Sequence, residues 1–518
     1  MTTLTPNEIT KYRGALNRLP VDARFGELRS HRVASLTVAR ECSKLTKPLV
    51  VPPVGHTPGS VVTIPHQSHG GRLVSNLVSQ LLLILFPPGV PFFKLDLKAV
   101  DVRELAKGTD LGTGTTMYDA LRETFVGIEN NCSIKLETMG LREKLRMILL
   151  QLVVGGNSCY LSLKEDLELI PLDDWVCSRD SSGDLLEVIY RQNLTITEAL
   201  LKAIPGLDQP LLEQGVVTVY TRCYKQLGST RWTVDKYVDS SPEPYETLEV
   251  PSGDFWVNIP VWELTPGEDY GRGPVEESLG DLRTYESGTR IIKDSATALA
   301  KVVFTVRPNG LTKASDVADA ENTEIISGQP EDVGVIQASK AYDLNGFTQY
   351  LSGIKQDLDM AFMMPTVIRR DAERVTAEEI RRMATELEKS RGGTYNNLAK
   401  NLQGPVAELL IRNILSTTSA ISGNIKASDL LPIVNTGLQG LGRTLELEST
   451  LMFLNDIKLL PGLEMLINKH QLIQRLAALR GLELSSIIKS AEQLAQEQQQ
   501  QAMSQVASAV LPQMLPQQ

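Results

Sequence analysis

Apolar residues recur every three to four positions through most of this chain, and every second position in one central stretch. The first 50 residues read as charged helix, with Tyr12, Leu16 and Leu19 on one stripe. Pro48, Pro52, Pro53, Pro58 and Pro65 then mark an irregular segment. Helical periodicity resumes from Leu73 to Phe86, from Thr116 to Ile128 and from Met139 to Val154, the last with Leu141, Leu145, Ile148 and Leu152 aligned. Between Ser158 and Leu264 the period changes to two. β-prone runs such as Val216–Tyr220 and Arg231–Val234 alternate with turn clusters such as Ser181-Ser182-Gly183-Asp184. The pattern predicts a modest antiparallel β domain, with one helix near Thr195 to Ile204.

A long helix is predicted after Pro274. Leu279, Leu282, Ile292, Ala296 and Leu299 form a narrow stripe, Glu286 precedes Arg290 by one turn, and the other faces carry Gly280, Ser287, Gly288, Thr289, Ser295 and Thr297. So little apolar surface with so many small residues suits close packing against equivalent helices better than a deep private core. A Pro308-Asn309-Gly310 turn and a mixed segment to Tyr342 lead to a second helix, Asp343 to Met363. After a basic loop, Pro365 to Arg374, Thr376 and Glu379 form a capping box. The helix it opens runs through Ile380, Met383, Leu387, Leu398 and Leu402, with a kink expected at Gly392-Gly393 and a break at Gly404-Pro405 before Val406 to Ser416. Leu445 to Val510 reads as helical, interrupted at Pro461-Gly462 and Gly481, with a frayed polar tail beyond Met503.

Composition adds constraints. A chain of 518 residues calls for about three structural units at roughly 150 residues each. Apolar residues make up 42% but aromatics only 5%, so the core rests on Leu, Val, Ile and Ala. The fold class expected is α+β, mainly α-helical. Cys42, Cys132, Cys159, Cys177 and Cys223 include no C-x-x-C pair, which argues against a disulfide framework and a zinc ribbon and fits a reducing compartment. No basic-then-apolar signal pattern opens the chain, so secretion through a signal peptide is not expected. Leu73 to Phe93 is uncharged, but Pro87, Pro88 and Pro91 leave too short a helix to span a bilayer. Net charge is −10, so no whole-molecule basic footprint exists for capturing nucleic acid.

A search for catalytic chemistry returns nothing. The chain has no Walker A pattern, H-E-x-x-H helix, G-x-S-x-G elbow or EF-hand loop. Gly108, Gly112 and Gly114 lack the strand and lysine of a phosphate cradle and read as a flexible turn. Asp173-Asp174 and Glu276-Glu277 read as solvated surface, and His66 and His69 as polar loop residues beside Gly70-Gly71. Neither a metal, a cofactor nor an enzymatic role is expected.

Several segments resemble one family. The run Tyr270-Gly271-Arg272-Gly273-Pro274-Val275-Glu276-Glu277-Ser278-Leu279-Gly280-Asp281-Leu282-Arg283 resembles the entry to the stem helix of podovirus (Autographiviridae-like) portal, or head-to-tail connector, proteins. Glu373 to Arg381 is similar to the family's E-R-V-T-A-E-E-I segment. Shorter echoes are Leu81 to Pro87, Gln151 to Asn157 and Gly437 to Arg443. Together they cover roughly residues 70 to 445 in the same order. The first 60 and last 70 residues carry no clear motif, and Pro48 to Pro65 looks particular to this chain.

The resemblance implies a dodecameric ring around a DNA channel at one capsid vertex. Residues 1–273 would form a wing, β-rich at about 158–264, with stem helices at 274–301 and 343–364 around a clip at 302–342. A tunnel loop at 365–374, a kinked long helix and wing return at 375–444 and a helical crown at 445–518 would follow. Such a protein nucleates head assembly on scaffolding and major capsid proteins, docks the terminase large subunit for packaging, and then holds a tail adaptor for DNA retention and ejection. Assembly would take place in the host cytoplasm and the final location would be the virion, with no membrane involved. Twelve copies would carry roughly −120 formal charge, which lets double-stranded DNA slide. Arg369, Arg370 and Arg374 are the candidates for centring the duplex, or Asp371 and Glu373 neutralise them, and Arg374 could be a structural ion-pair partner. Arg283, Glu286 and Arg290 are expected in inter-subunit contacts of the stem. Two other classes stand beside this reading: another ring-forming virion component, such as a tail adaptor or tube subunit, and an enzyme with an unrecognised carboxylate site.

Overall fold

In the computed structural model the described residues are 20–89, 91–97, 117–196, 216–225, 231–238, 241–300, 303–321, 323–336, 341–363, 393–394, 396–417, 430–434, 450–455, 472 and 476. Helix α1, Val21–Leu45, buries Val21, Phe25, Leu28, Arg32, Leu36, Ala39 and Cys42, a three-to-four spacing that makes one stripe. Asp22 in its first turn and Lys44 in its last complement the helix dipole. The proline-rich stretch after it is irregular, folded by local turns such as Val50 N–H to the Lys47 carbonyl and His56 N–H to the Pro53 carbonyl. Helix α2, His69–Leu85, buries ten of its residues and stops before Pro87-Pro88, where the ring geometry cannot continue a helix. Strand β1 (Phe93–Leu97) and helices α3 (Met117–Thr138) and α4 (Leu141–Gly155) follow, the helices divided by Gly140 at φ 65°.

The period-two region forms β2 (Cys159–Ser162), β3 (Leu167–Ile170), β4 (Trp175–Arg179), β5 (Leu185–Thr195), β6 (Val216–Lys225), β7 (Arg231–Val238), β8 (Glu246–Pro251) and β9 (Val257–Asn258). Short α5 (Pro274–Glu277) leads to α6 (Leu279–Ala300). Then come β10 (Val303–Val306), α7 (Ala314–Asp319), β11 (Val333–Ile336) and α8 (Ala341–Ala361). A π turn, Ala399–Gln403, runs into α9 (Gly404–Thr417), and β12 is Leu430–Val434. The fold is mixed α+β.

Two compact units emerge. The first gathers Met1–Leu85, Met139–Ile380 and Lys400–Pro405. Its main sheet is an antiparallel meander, β4-β5-β6-β7-β8, with registers such as Trp175 opposite Tyr190 and Cys223 opposite Val234. Val176, Ile189 and Tyr237 on one face of it pack against Val21, Phe25 and Leu28 of α1. Edge strand β8 is mostly exposed and carries Glu246 and Glu249, charges that discourage a foreign strand from pairing there. A smaller sheet, β3-β2-β9, lies beside α4 in the chain.

The second unit gathers Phe86–Thr138, Arg381–Ala399 and Val406–Gln518. Within it β1 pairs antiparallel with β12, Phe93 opposite Val434 and Leu97 opposite Leu430. Buried Glu129 of α3 accepts the Leu95 N–H at 2.7 Å, and Phe86, Phe92 and Phe93 meet edge to face.

Four sequence expectations change. Helix α2 starts at His69, so His69 and Gly70-Gly71 are not loop residues. Gly70 is the reason the turn closes there, because a β-carbon would lie 2.7 Å from the Leu45 carbonyl oxygen. Gly404-Pro405 does not break the helix. The π turn directly before it widens the backbone where Pro405 has no N–H to give, and α9 continues. Asp173 and Asp174 are not solvated surface: Asp173 pairs with Arg40 and Asp174 accepts Arg191 Nε at 2.7 Å. Thr195 ends β5 and does not start a helix, while the rest of the helix expected to Ile204 lies outside the described residues. The capping box at Thr376, the glycines at 108, 112 and 114, and most of the C-terminal helical run also lie outside them.

Candidate functional site

The features that single out a site are a pair of helices, the small insert between them and the joint at their root. The joint is built from two of the motifs noted in the sequence. Asn157 donates its side-chain amide to the Gly271 carbonyl at 2.8 Å, and its Oδ1 accepts the Gly271 N–H at 2.7 Å. Gly156 caps α4 at φ 72°, and a β-carbon there would lie 2.5 Å from the Gly271 oxygen. At Gly273 it would lie 2.7 Å from the Val153 oxygen. Backbone meets backbone, so only glycine fits. Tyr270 stays beneath the joint, its hydroxyl accepting the Cys177 N–H at 2.9 Å. The Arg32 guanidinium stacks on Trp175 and Tyr270, 3.9 Å and 4.7 Å from the ring centroids, and donates to the Trp175 carbonyl. Arg32 is 1% exposed and, among the described residues, has no carboxylate in ion-pair reach. Aromatic faces and a carbonyl replace its water, and burial lowers its pKa from the ordinary range. Behind the joint, buried Glu187 holds Arg24 at 2.7 Å and Arg222 at 2.7 Å, which ties α1 to the main sheet.

Helices α6 and α8 pack antiparallel, since Tyr285 neighbours Asp359 while Gly288 neighbours Leu351. A β-carbon on Gly288 would lie 2.6 Å from Leu351, so one of the small residues serves contact within the pair. Only Leu279, Leu282 and Gly288 of α6 are buried among the residues up to Ala298. On α8, Leu351, Ile354, Leu358 and the following Phe362 are buried, whereas Tyr350 and Met360 of α8 and Ile291 of α6 are exposed.

The insert is a β10–β11 ladder, Val303 opposite Ile336 through Val306 opposite Val333, with α7 between its two strands in the chain. Asp332 organises it. Its carboxylate is buried and accepts the Leu311 N–H at 2.8 Å and the Thr312 N–H at 3.3 Å, closing the predicted Pro308-Asn309-Gly310 turn. Phe304, Leu311, Ile325 and Val335 face solvent.

Polar ties fasten the helix pair to the rest of its unit. Arg283 donates Nε to Glu41 at 2.6 Å in a two-pronged pair that holds the Glu41 carboxyl below its ordinary pKa. Glu286 accepts the N–H groups of His66 and Gln67 at 2.7 and 3.1 Å, and Lys293 donates to the His66 carbonyl. Arg290 reaches Asp294, one turn along its own helix, at 3.7 Å. His69 Nε2 lies 3.0 Å from Asp359 Oδ1, with burial the larger influence, lowering the His69 pKa. Sequence reading missed this tie because a lone histidine before two glycines carries no signal of its distant partner.

Arg283 and Glu286 thus have partners in their own chain, while Arg369, Arg370 and Arg374 lie outside the described residues. All five cysteines are buried and free, and Cys42 and Cys132 are pushed up to about 12, so none is a ready nucleophile. Among the described residues no His, Cys, Asp and Glu side chains cluster as a metal site, and no helix is long and apolar enough to cross a membrane.

A family model described as bacteriophage head to tail connecting protein matches residues 19–206 and 253–488. The portal protein of Escherichia phage T7 is 28% identical over 498 residues, 92% of this chain and 90% of that protein. The portal protein of Enterobacteria phage T3 is 30% identical over 440 residues, 82% of this chain and 79% of that protein. A chain in the neck of an empty GTA particle aligns over 81% of this chain and 91% of its own length, at 13% identity and a TM-score of 0.37. The match runs through both halves of the glycine joint and the whole of the helix pair, and the chain therefore belongs to the bacteriophage head-to-tail connecting proteins, the family of the podovirus portal proteins.

Proposed function

We propose that this chain is a portal subunit, a non-enzymatic component of the virion that surrounds the DNA channel at one capsid vertex. Twelve copies form the ring. The two-unit body supplies wing and crown, α6 and α8 the stem, and the β10–β11 insert the clip. The ring nucleates head assembly with scaffolding and major capsid proteins in the host cytoplasm. It docks the terminase large subunit, whose nucleotide hydrolysis drives packaging, and then holds the tail adaptor.

The observation that carries this reading is the helix pair. It buries one narrow face within its own chain and leaves the rest, including Ile291, Tyr350 and Met360, in solvent. Exposed apolar positions on long paired helices are explained by sibling copies that cover them. Because Arg283 and Glu286 bind within the chain, Arg290, 65% exposed at its side chain, is the strongest of the three for a contact between subunits. The basic run with Arg369, Arg370 and Arg374 follows α8 and is assigned to the channel wall. Native mass spectrometry of the purified protein tests the proposal: the expected result is a twelve-subunit species, and a monomer at every concentration, with or without scaffold, defeats it.

A further inference from the structure

The stretch between α1 and α2 is apolar where a solvent-facing loop is ordinarily polar. Pro48 to Pro65 holds seven Val, Leu and Ile residues and no Asp, Glu, Lys or Arg, in a chain whose charged residues make up 22%. Of those seven, Val51 alone is buried. Val54 is 81% exposed, Val61 100% and Ile64 81%. From Val61 to Pro65 the backbone makes no hydrogen bond among the described residues and belongs to no helix or strand.

Both ends of this stretch are nevertheless held. At its start the Val51 N–H donates to Ser43 Oγ at 3.0 Å and Arg40 Nε to the Pro52 carbonyl at 3.2 Å, both from α1. At its end Glu286 and Lys293, two turns apart on one side of α6, take the N–H groups of His66 and Gln67 and the His66 carbonyl. Anchored ends with an apolar middle turned outward are the arrangement of a contact surface, because nothing in its own chain shields Val61 from water.

Two observations select a second copy of this chain as the partner. The later anchor is on α6, and the pair it forms with α8 leaves Ile291, Tyr350 and Met360 open. Each copy also carries a net charge of −10, so copies repel in general and approach at least cost where the surface is uncharged.

We propose that residues 52–65 are an arm between subunits, which lays Val54, Val61 and Ile64 on the open apolar positions of the adjoining copy's helix pair. This rests on the reading of the chain as a ring-forming portal subunit. The test begins with Val61→Asp, Ile64→Asp in the full-length protein. Both side chains stand in water in their own chain, so the melting temperature of the dilute, free subunit should keep its wild-type value. The concentration at which rings appear in native mass spectrometry should rise by at least about tenfold, the factor that losing the burial of one aliphatic side chain brings. Val61→Ile, Ile64→Val keeps the apolar surface and should assemble as wild type. A thiol gives a second reading, since all five native cysteines are buried. In Val61→Cys, maleimide labelling should be fast in free subunits and strongly slowed in rings.

Rings at the wild-type concentration in the Asp variant, or equal labelling of rings and free subunits, overturn the arm and leave the ring reading standing. A lower melting temperature of the dilute Asp variant shows that the stretch packs within its own chain, and overturns the arm as well. So does labelling that slows only when scaffold or terminase is added, which gives the stretch another occupant. A wild-type protein that stays monomeric removes the ring reading and the arm with it.

Discussion

Gly156, Gly271 and Gly273 show how much a missing side chain can carry. Each lets one backbone approach another within a distance that no β-carbon tolerates, and Gly156 adds a left-handed φ. Gly273→Ala should therefore cost about 3 kcal/mol, from overpacking against a backbone that cannot move aside, and lower the melting temperature by several degrees. An unchanged melting curve would show that the joint yields. His69 makes a second prediction at this scale. Burial holds its pKa below the ordinary 6.5, against the pull of Asp359, while Lys355 and Arg72 oppose protonation and Tyr285 packs beside the ring. The unfolded chain then takes up the proton first. The stability His69 contributes is complete above about pH 6.5 and is lost as pH falls through the folded value. Melting temperatures of wild type and His69→Gln, measured between about pH 7.5 and 5.5, should draw together on the acid side. Parallel curves would mean that His69 does not titrate in that range.

At the scale of elements, the helix pair is set by small contacts. Gly288 faces Leu351 with no room for a β-carbon, so Gly288→Val should pry α6 from α8 at a cost of about 2 kcal/mol. Faster amide exchange confined to α6 and α8 would be the expected signature, and wild-type protection in both helices would refute it. The Arg283–Glu41 pair is different. Both side chains are well exposed, so its removal should change stability little, and its role is orientation. Helix boundaries were legible where proline punctuates them, as at Pro87. They were not at Gly140, which lies inside the helix expected from Met139 to Val154 and in the structure divides α3 from α4, with α3 running on to Thr138 and not ending at Ile128. The Gly404-Pro405 expectation failed because the same two residues admit a second solution, a π turn that absorbs the missing N–H without ending the helix.

On the scale of the whole molecule, charge and topology work together. A net charge of −10 per chain argues that duplex DNA meets no general adhesion and that any contact is local. The variant Arg369→Ala, Arg370→Ala should leave ring assembly intact and change DNA packaging or retention, read by restriction of the packaged genome and by yield of filled heads. Wild-type values in both would take these residues off the channel wall. Exposed Phe304, Leu311, Ile325 and Val335 place apolar surface on the insert between the helices, where partner contacts of the ring are proposed.

By itself the sequence determined the mixed α+β class, the β-rich stretch within Ser158 to Leu264, the paired helices around a small insert, and the family through its motifs. Periodicity and turn chemistry are local properties, and a chain carries them without knowing its partners. Only the tertiary structure decided that Gln151 to Asn157 and Tyr270 to Gly273 close on each other, that Asp173 and His69 have partners, and that Gln80 grips the end of α8. Those pairings join residues more than a hundred positions apart. No local rule encodes them, because they exist only once apolar burial has brought the elements together.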